Sequence, residues 1–266
     1  MSLSLLRNSA LILLLSYAAA SADTFQIQDF AYIPRNVTVD EACEAAKINA
    51  QKQAMSKAGL EKGRFADLEI CTDDAAGANC SLIQESQSYY EGGYITATKF
   101  AEPKIEENGV EKKCVIDAQI TVERFKGNPD PNFALSAELS DRKMFANQTF
   151  SITGETTKEA YVYLLGYLPM KDEFYRIIPN RFEPMSKIQG EFIFQSKNSN
   201  SEYALEALLP KDFENDQLSE IMLVLATKVE FSLLNKETAP DFYKRLNELG
   251  RDQWRKIHLG YTIVRK

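Results

Sequence analysis

The chain has 266 residues, 44% hydrophobic and 26% charged, with a formal net charge of −7. That apolar share supports packed cores and excludes a wholly disordered chain, and the length fits one large domain or two modest ones. The acidic balance, with no basic arm or stripe, argues against nucleic acid and against electrostatic docking on anionic lipid.

Residues 1–22 read as a secretory signal peptide. Arg7 is their only charge, Ala10–Leu15 is a short apolar run, and Ala20-Ser21-Ala22 fits the small-x-small cleavage rule before Asp23. The run is too short for a bilayer, which needs about 20 residues, and no later stretch is long or apolar enough to be transmembrane. These features predict a periplasmic or secreted protein with no transmembrane segment.

Phe25–Ile33 alternates roughly and predicts a strand. Thr38 and Glu41 fit a capping box opening a helix that ends at Gly59. Ala42, Ala46, Ala50, Ala54 and Ala58 repeat every four residues along it, a row that lets a helix approach a sheet closely. Strands are expected over Leu82–Phe100, interrupted by Gly92-Gly93, and over Lys113–Arg124, with a turn at Glu106–Gly109. All four cysteines, Cys43, Cys71, Cys80 and Cys114, lie in this half. An even count in an exported chain favours disulfides, and four cysteines allow three pairings. The loop-like composition of Thr72–Asn79 favours Cys71 with Cys80, which leaves Cys43 to staple the helix to the Cys114 strand. Zinc is the rival, but the tight cysteine pair it normally needs is missing and the one histidine, His258, lies far off.

Two prolines, a glycine and two asparagines make residues 127–132 a linker between 23–126 and 133–235. Beyond it, strands are expected over Phe133–Glu138, Thr149–Gly154, Ala160–Leu168, Phe174–Ile178, Glu191–Gln195, Glu202–Leu208 and Ile221–Val229. Ala160–Leu168 and Ile221–Ala226 are nearly continuous apolar runs, as strands buried on both faces require. Residues 236–266 predict a helix over Asp241–Leu249 and a strand over Ile257–Val264, which either returns to the first unit or completes the second. The expected class is α+β: a small strand–helix–strand unit, then a mainly β, sandwich-like one.

Two resemblances sharpen this. The opening strand, the helix EACEAAKINAQKQAMSKAG, the Gly-Gly interruption and the strand VIDAQITVERF resemble the N-terminal domains of exported flagellar-assembly and Lpp20-type bacterial proteins. QTFSITGETTKEAYVYLLGYLP, FYRIIPN, SKIQGEFIF, YALEALLP and EIMLVLATK resemble a bacterial envelope-associated β domain of unknown function, with Pro179-Asn180 as its turn and Gly190 following. The resemblances imply an interaction module and add no chemistry.

Motifs for a P-loop, a dinucleotide fold, a nucleophile elbow, a zincin or an EF-hand are missing from the sequence. No catalytic, cofactor-binding or metal residues are therefore nominated, and the acids at 73–74 and 212–216 read as solvated loops. The expected function is a non-enzymatic envelope scaffold or assembly factor whose partners are envelope proteins, with oligomerisation open. Its contact surface is expected at Tyr161, Tyr163, Tyr167, Phe174, Tyr175, Pro179 and Asn180. The alternative is a module for peptidoglycan, glycan or a small ligand that stacks sugars on Trp254, Tyr243 and Tyr261. A periplasmic hydrolase would need two facing carboxylates in a cleft.

Overall fold

Alternation in ADTFQIQDFAY folds as strand Ala22–Tyr32 (β1), followed by helix Val39–Lys57 (α1). Both capping-box bonds form: Thr38 Oγ1 accepts the Glu41 N–H at 3.2 Å, and the Glu41 carboxylate accepts the Thr38 N–H at 2.8 Å. They satisfy two donors that a helix N-terminus otherwise leaves open. Gly59 takes a φ of 67°, the left-handed stop that glycine permits, and the Arg124 guanidinium donates to the Ala58 carbonyl beside it. The computed structural model describes residues 22–35, 37–62, 71–74, 77–80, 90–109, 111–168, 171–194, 204–209 and 217–265. Residues 1–21 of the leader, positions 82–89 of the strand expected over Leu82–Phe100 and the acids at 212–216 lie outside these.

Short strands Glu61–Lys62 (β2), Cys71–Asp74 (β3), Gly77–Cys80 (β4) and Tyr90–Glu91 (β5) precede the main strands Gly93–Phe100 (β6), Lys104–Asn108 (β7) and Glu111–Arg124 (β8). The long strand expected here breaks at Gly92, whose φ is 92°. β3 and β4 pair antiparallel with Cys71 opposite Cys80, so a ribbon forms where composition suggested a loop. β1, β8 and β6 form one antiparallel sheet, with β7 also on β8. β8 is its spine: Cys114, Ile116, Ala118, Ile120 and Val122 are buried against the alanine row of α1. Cys43 on α1 is disulfide-bonded to Cys114, closing a loop of 71 positions.

The second unit comprises Leu135–Leu139 (β9), Lys143–Phe145 (β10), Thr149–Phe150 (β11), Ile152–Leu168 (β12), Glu173–Ile178 (β13), Lys187–Phe194 (β14), Leu205–Glu206 (β15), Gln217–Thr227 (β16), Lys236–Thr238 (β17), helix Ala239–Glu248 (α2) and Trp254–Val264 (β18). An eight-stranded sheet runs β10-β18-β16-β12-β13-β17, with β9 and β14 on the first half of β12. The strands expected over 149–154 and 160–168 are thus largely one: β9 and β14 pair it on both sides as far as Thr156, and β14 pairs it again at Ala160 and Tyr161 after a register irregularity. The final strand completes this sheet by pairing with β16. The described molecule is mostly β, and no helix among the described residues is long and apolar enough to cross a membrane.

The apolar runs are buried on both faces. Val162 and Leu164 of β12, with Met222, Val224 and Ala226 of β16, pack into one core with Phe133, Phe150 and Phe192. Their neighbours Tyr163, Leu165, Leu223 and Leu225 point the other way, under α2 and Trp254. Tyr94 and Phe125 of the first unit join that second core.

Candidate interaction surface

Of the residues nominated for contact, Tyr163 and Phe174 are buried and present nothing to a partner. Tyr163 is covered because alternate residues of β12 face α2; its hydroxyl accepts the Phe231 N–H at 2.7 Å. Phe174 packs in tilted contact against Tyr167 and Phe242. Tyr167 is half-buried and donates to Asp172 at 2.8 Å, and burial raises the pKa of both groups. Tyr175 lies over Gly166, where an added Cβ would meet its ring at 2.0 Å. Burial, then the Glu220 charge, pushes its phenol up to about 12. Tyr261 donates to Glu220, whose carboxyl burial pushes up. Tyr161 is half-buried, with the Lys187 ammonium 5.4 Å from its ring centre.

The Pro179-Asn180 turn follows a cis Ile178–Pro179 bond. Asn180 Oδ1 accepts the Phe182 and Glu183 N–H groups, and its Nδ2 donates to the Ile177 carbonyl, so its side chain serves the turn. What the turn displays is Phe182, 39% exposed under the Arg181 guanidinium, a residue the strand pattern did not single out. A second aromatic pair was also missed. Phe30 and Tyr32 share a register parity on β1, meet edge to face at 5.3 Å, and are 40% and 56% exposed. The parity was legible; which sheet face the helix would cover was not.

β1 is an edge strand among the described residues, yet it is partly blunted. The Phe30 N–H goes to Asp29 Oδ1 and its carbonyl accepts from Asn49 Nδ2, so those groups are occupied rather than offered to another strand.

Of the rings suggested for sugar stacking, Tyr261 packs against Phe150 in the second unit's own core, while Trp254 and Tyr243 are used at the junction of the two units. Trp254 is fully buried and meets Phe125 edge to face at 4.8 Å; Tyr243 contacts Phe125 and Tyr94. Tyr94 is buried there, which raises its phenol to about 12. Asn247 of α2 reinforces the contact. Its Oδ1 accepts the Lys126 N–H at 2.6 Å, and its Nδ2 donates to Glu123 Oε1 at 2.9 Å and to the Arg124 carbonyl. The linker is tied down as well: Asp130 pairs with Lys158 and Lys228 at 2.7 and 2.6 Å, and its carbonyl accepts from Arg255. His258, 3.4 Å from the Tyr243 hydroxyl, is held neutral by burial, then by the Lys256 charge, which lower its pKa.

Two of the surface cavities among the described residues lie elsewhere. One, of about 600 Å³, runs between β17 and α2 and is lined mainly by charged groups, including the buried Glu237 carboxylate paired with half-buried Arg245. The other, about 350 Å³, lies beside Cys43. No protein-family model matches the chain, and no characterised protein shows significant similarity to it.

Proposed function

We propose that the chain is an exported bacterial envelope protein, a non-enzymatic scaffold or accessory assembly factor that works through protein–protein contact. In this reading a disulfide-stapled α+β unit and a sandwich-like unit act as one body and hold exposed rings at fixed separation. One observation carries it: Trp254, Tyr243 and Tyr261 are committed to internal packing and line neither described cavity, whereas Phe30, Tyr32 and Phe182 stand exposed on separate parts of the frame. Aromatic residues are enriched among interface anchors, so these three are the proposed contacts. The Cys43–Cys114 bond fits an oxidising compartment. The flagellar-type resemblance of the first unit makes surface or flagellar assembly the proposed setting.

In-cell crosslinking of the tagged protein, followed by mass spectrometry of the envelope fraction, tests this. The expected result is a defined set of assembly proteins that is lost when Phe30, Tyr32 and Phe182 are changed to serine. Recovery of cell-wall polymer alone, or of the same proteins from the triple variant, would overturn the reading.

A further inference from the structure

The Cys43–Cys114 bond is not equally placed at its two ends. Cys114 is completely buried in the middle strand of its sheet, between Val115 and Lys113 in sequence and among Ile116, Ala118 and the alanine row in space. Cys43 is on α1 just past the capping box; it is 6% exposed, so it too is largely covered, but unlike Cys114 it lines the 350 Å³ groove between that helix and the 103–105 segment. The groove is lined by apolar Val39, Pro103 and Ile105, of which Val39 is 47% and Ile105 43% exposed, together with charged Asp40, Glu44 and Lys47. Glu44 and Lys47 form an ion pair at 2.6 Å. Thiol–disulfide exchange requires a thiolate to reach one sulfur, and the rate depends on which sulfur is accessible.

We infer that this disulfide is formed and opened through Cys43, and that the groove bounded by Val39, Pro103 and Ile105 docks a thiol–disulfide oxidoreductase. The partner's thiolate attacks Cys43 Sγ, the Cys43–Cys114 bond breaks, and Cys114 leaves with the electron pair and takes up a proton. The partner's second thiol, losing its proton, then attacks the mixed disulfide and releases Cys43 as a thiolate. This chain gains two electrons, and the partner dithiol becomes a disulfide. The reverse sequence, with the partner's disulfide as oxidant, installs the bond. The occupant follows from the reacting bond at the edge of the groove, and the inference is independent of the scaffold reading.

The test uses the full oxidised chain under native conditions. It is mixed with a thioredoxin-fold protein whose second active-site cysteine is replaced by alanine, so that the mixed disulfide cannot resolve. Peptide mass spectrometry should find the adduct on Cys43 and not on Cys114. The Val39→Glu, Ile105→Glu double variant should form it about tenfold more slowly, while its reduction by dithiothreitol stays within about twofold of the parent. A variant that unfolded would react faster with both reagents, so misfolding cannot imitate this result. An adduct on Cys114, adducts shared equally, no adduct without denaturant, or a double variant unchanged toward the protein reagent would each overturn the inference.

Discussion

The two units build their cores from opposite materials. The first presses a row of alanines on α1 against Ile116, Ile120 and Val122 and adds a covalent bond; the second buries Trp254, Tyr163, Phe133 and Phe242 and has no cysteine. Alanine brings backbones close but removes little apolar area per residue, at about 25 cal/mol per Å². A large ring removes 150–250 Å², as a general figure for aromatic side chains. The first unit therefore depends on what is added to its core: the disulfide, and the junction supplied by α2 and β18. The lesson is that two sequence-separated units can share stability where one contributes the rings that the other lacks.

The change expected to disturb this most is Trp254→Ala, which empties the centre of the shared core. It should cost about 3–5 kcal/mol in denaturant unfolding, and because Trp254 touches Phe125, the first unit should lose stability too. Protection of the β8 amides from hydrogen exchange reports that second effect, and unchanged protection would separate the two cores. Next comes removal of the staple: Cys43→Ala with Cys114→Ala should cost about 2–5 kcal/mol, since closing a long loop restricts the unfolded chain. A loss under 1 kcal/mol would mean that the alanine face suffices alone.

Enlarging a fully buried alanine probes the close approach itself. Ala50→Leu should destabilise by about 1–3 kcal/mol through overpacking, while the same change at an exposed helix position such as Glu44 should be nearly neutral by thermal melting. Gly166→Ala is a comparable intrusion in the second unit, where the new methyl would strike the Tyr175 ring.

The smallest effect concerns the tied linker and shows in acid. Lys158, then Lys228 and the Asn132 N–H, hold the Asp130 carboxyl below its usual value of 3.8. A depressed carboxylate contributes in full above its unfolded pKa, and the contribution is lost as pH falls through the folded value. Thermal melts from pH 6 downward should therefore show the parent losing more than Asp130→Asn below about pH 4. Parallel curves would mean that these ion pairs add nothing.

What could be read beforehand followed periodicity and local chemistry. The Thr38–Glu41 box, the alternation of β1 and β8, and the doubly apolar runs of β12 and β16 all declare themselves within a few residues. β7, β10 and β17 do not, because KIEEN, KMF and KET are short edge segments with no alternating apolar face. Residues 155–159 read as a break, although β12 runs through them: pairing on both sides extends to Thr156, and β14 resumes at Ala160 after a register irregularity. The interaction surface was the hardest part. Tyr161, Tyr163 and Tyr167 share one face of β12, but alternation cannot say that α2 will cover it. Nor does any local pattern connect Asn247 with Lys126, which are 121 positions apart.

Calorimetry of the disulfide-intact protein, beside its Asn247→Ala variant, tests the shared core most directly. One body predicts a single transition in the parent, with calorimetric and van't Hoff enthalpies equal. It also predicts a loss of about 1–3 kcal/mol and a broadening toward two steps in the variant, whose Lys126 N–H is left without its acceptor. Two resolved transitions in the parent, with the variant unchanged, would contradict the account.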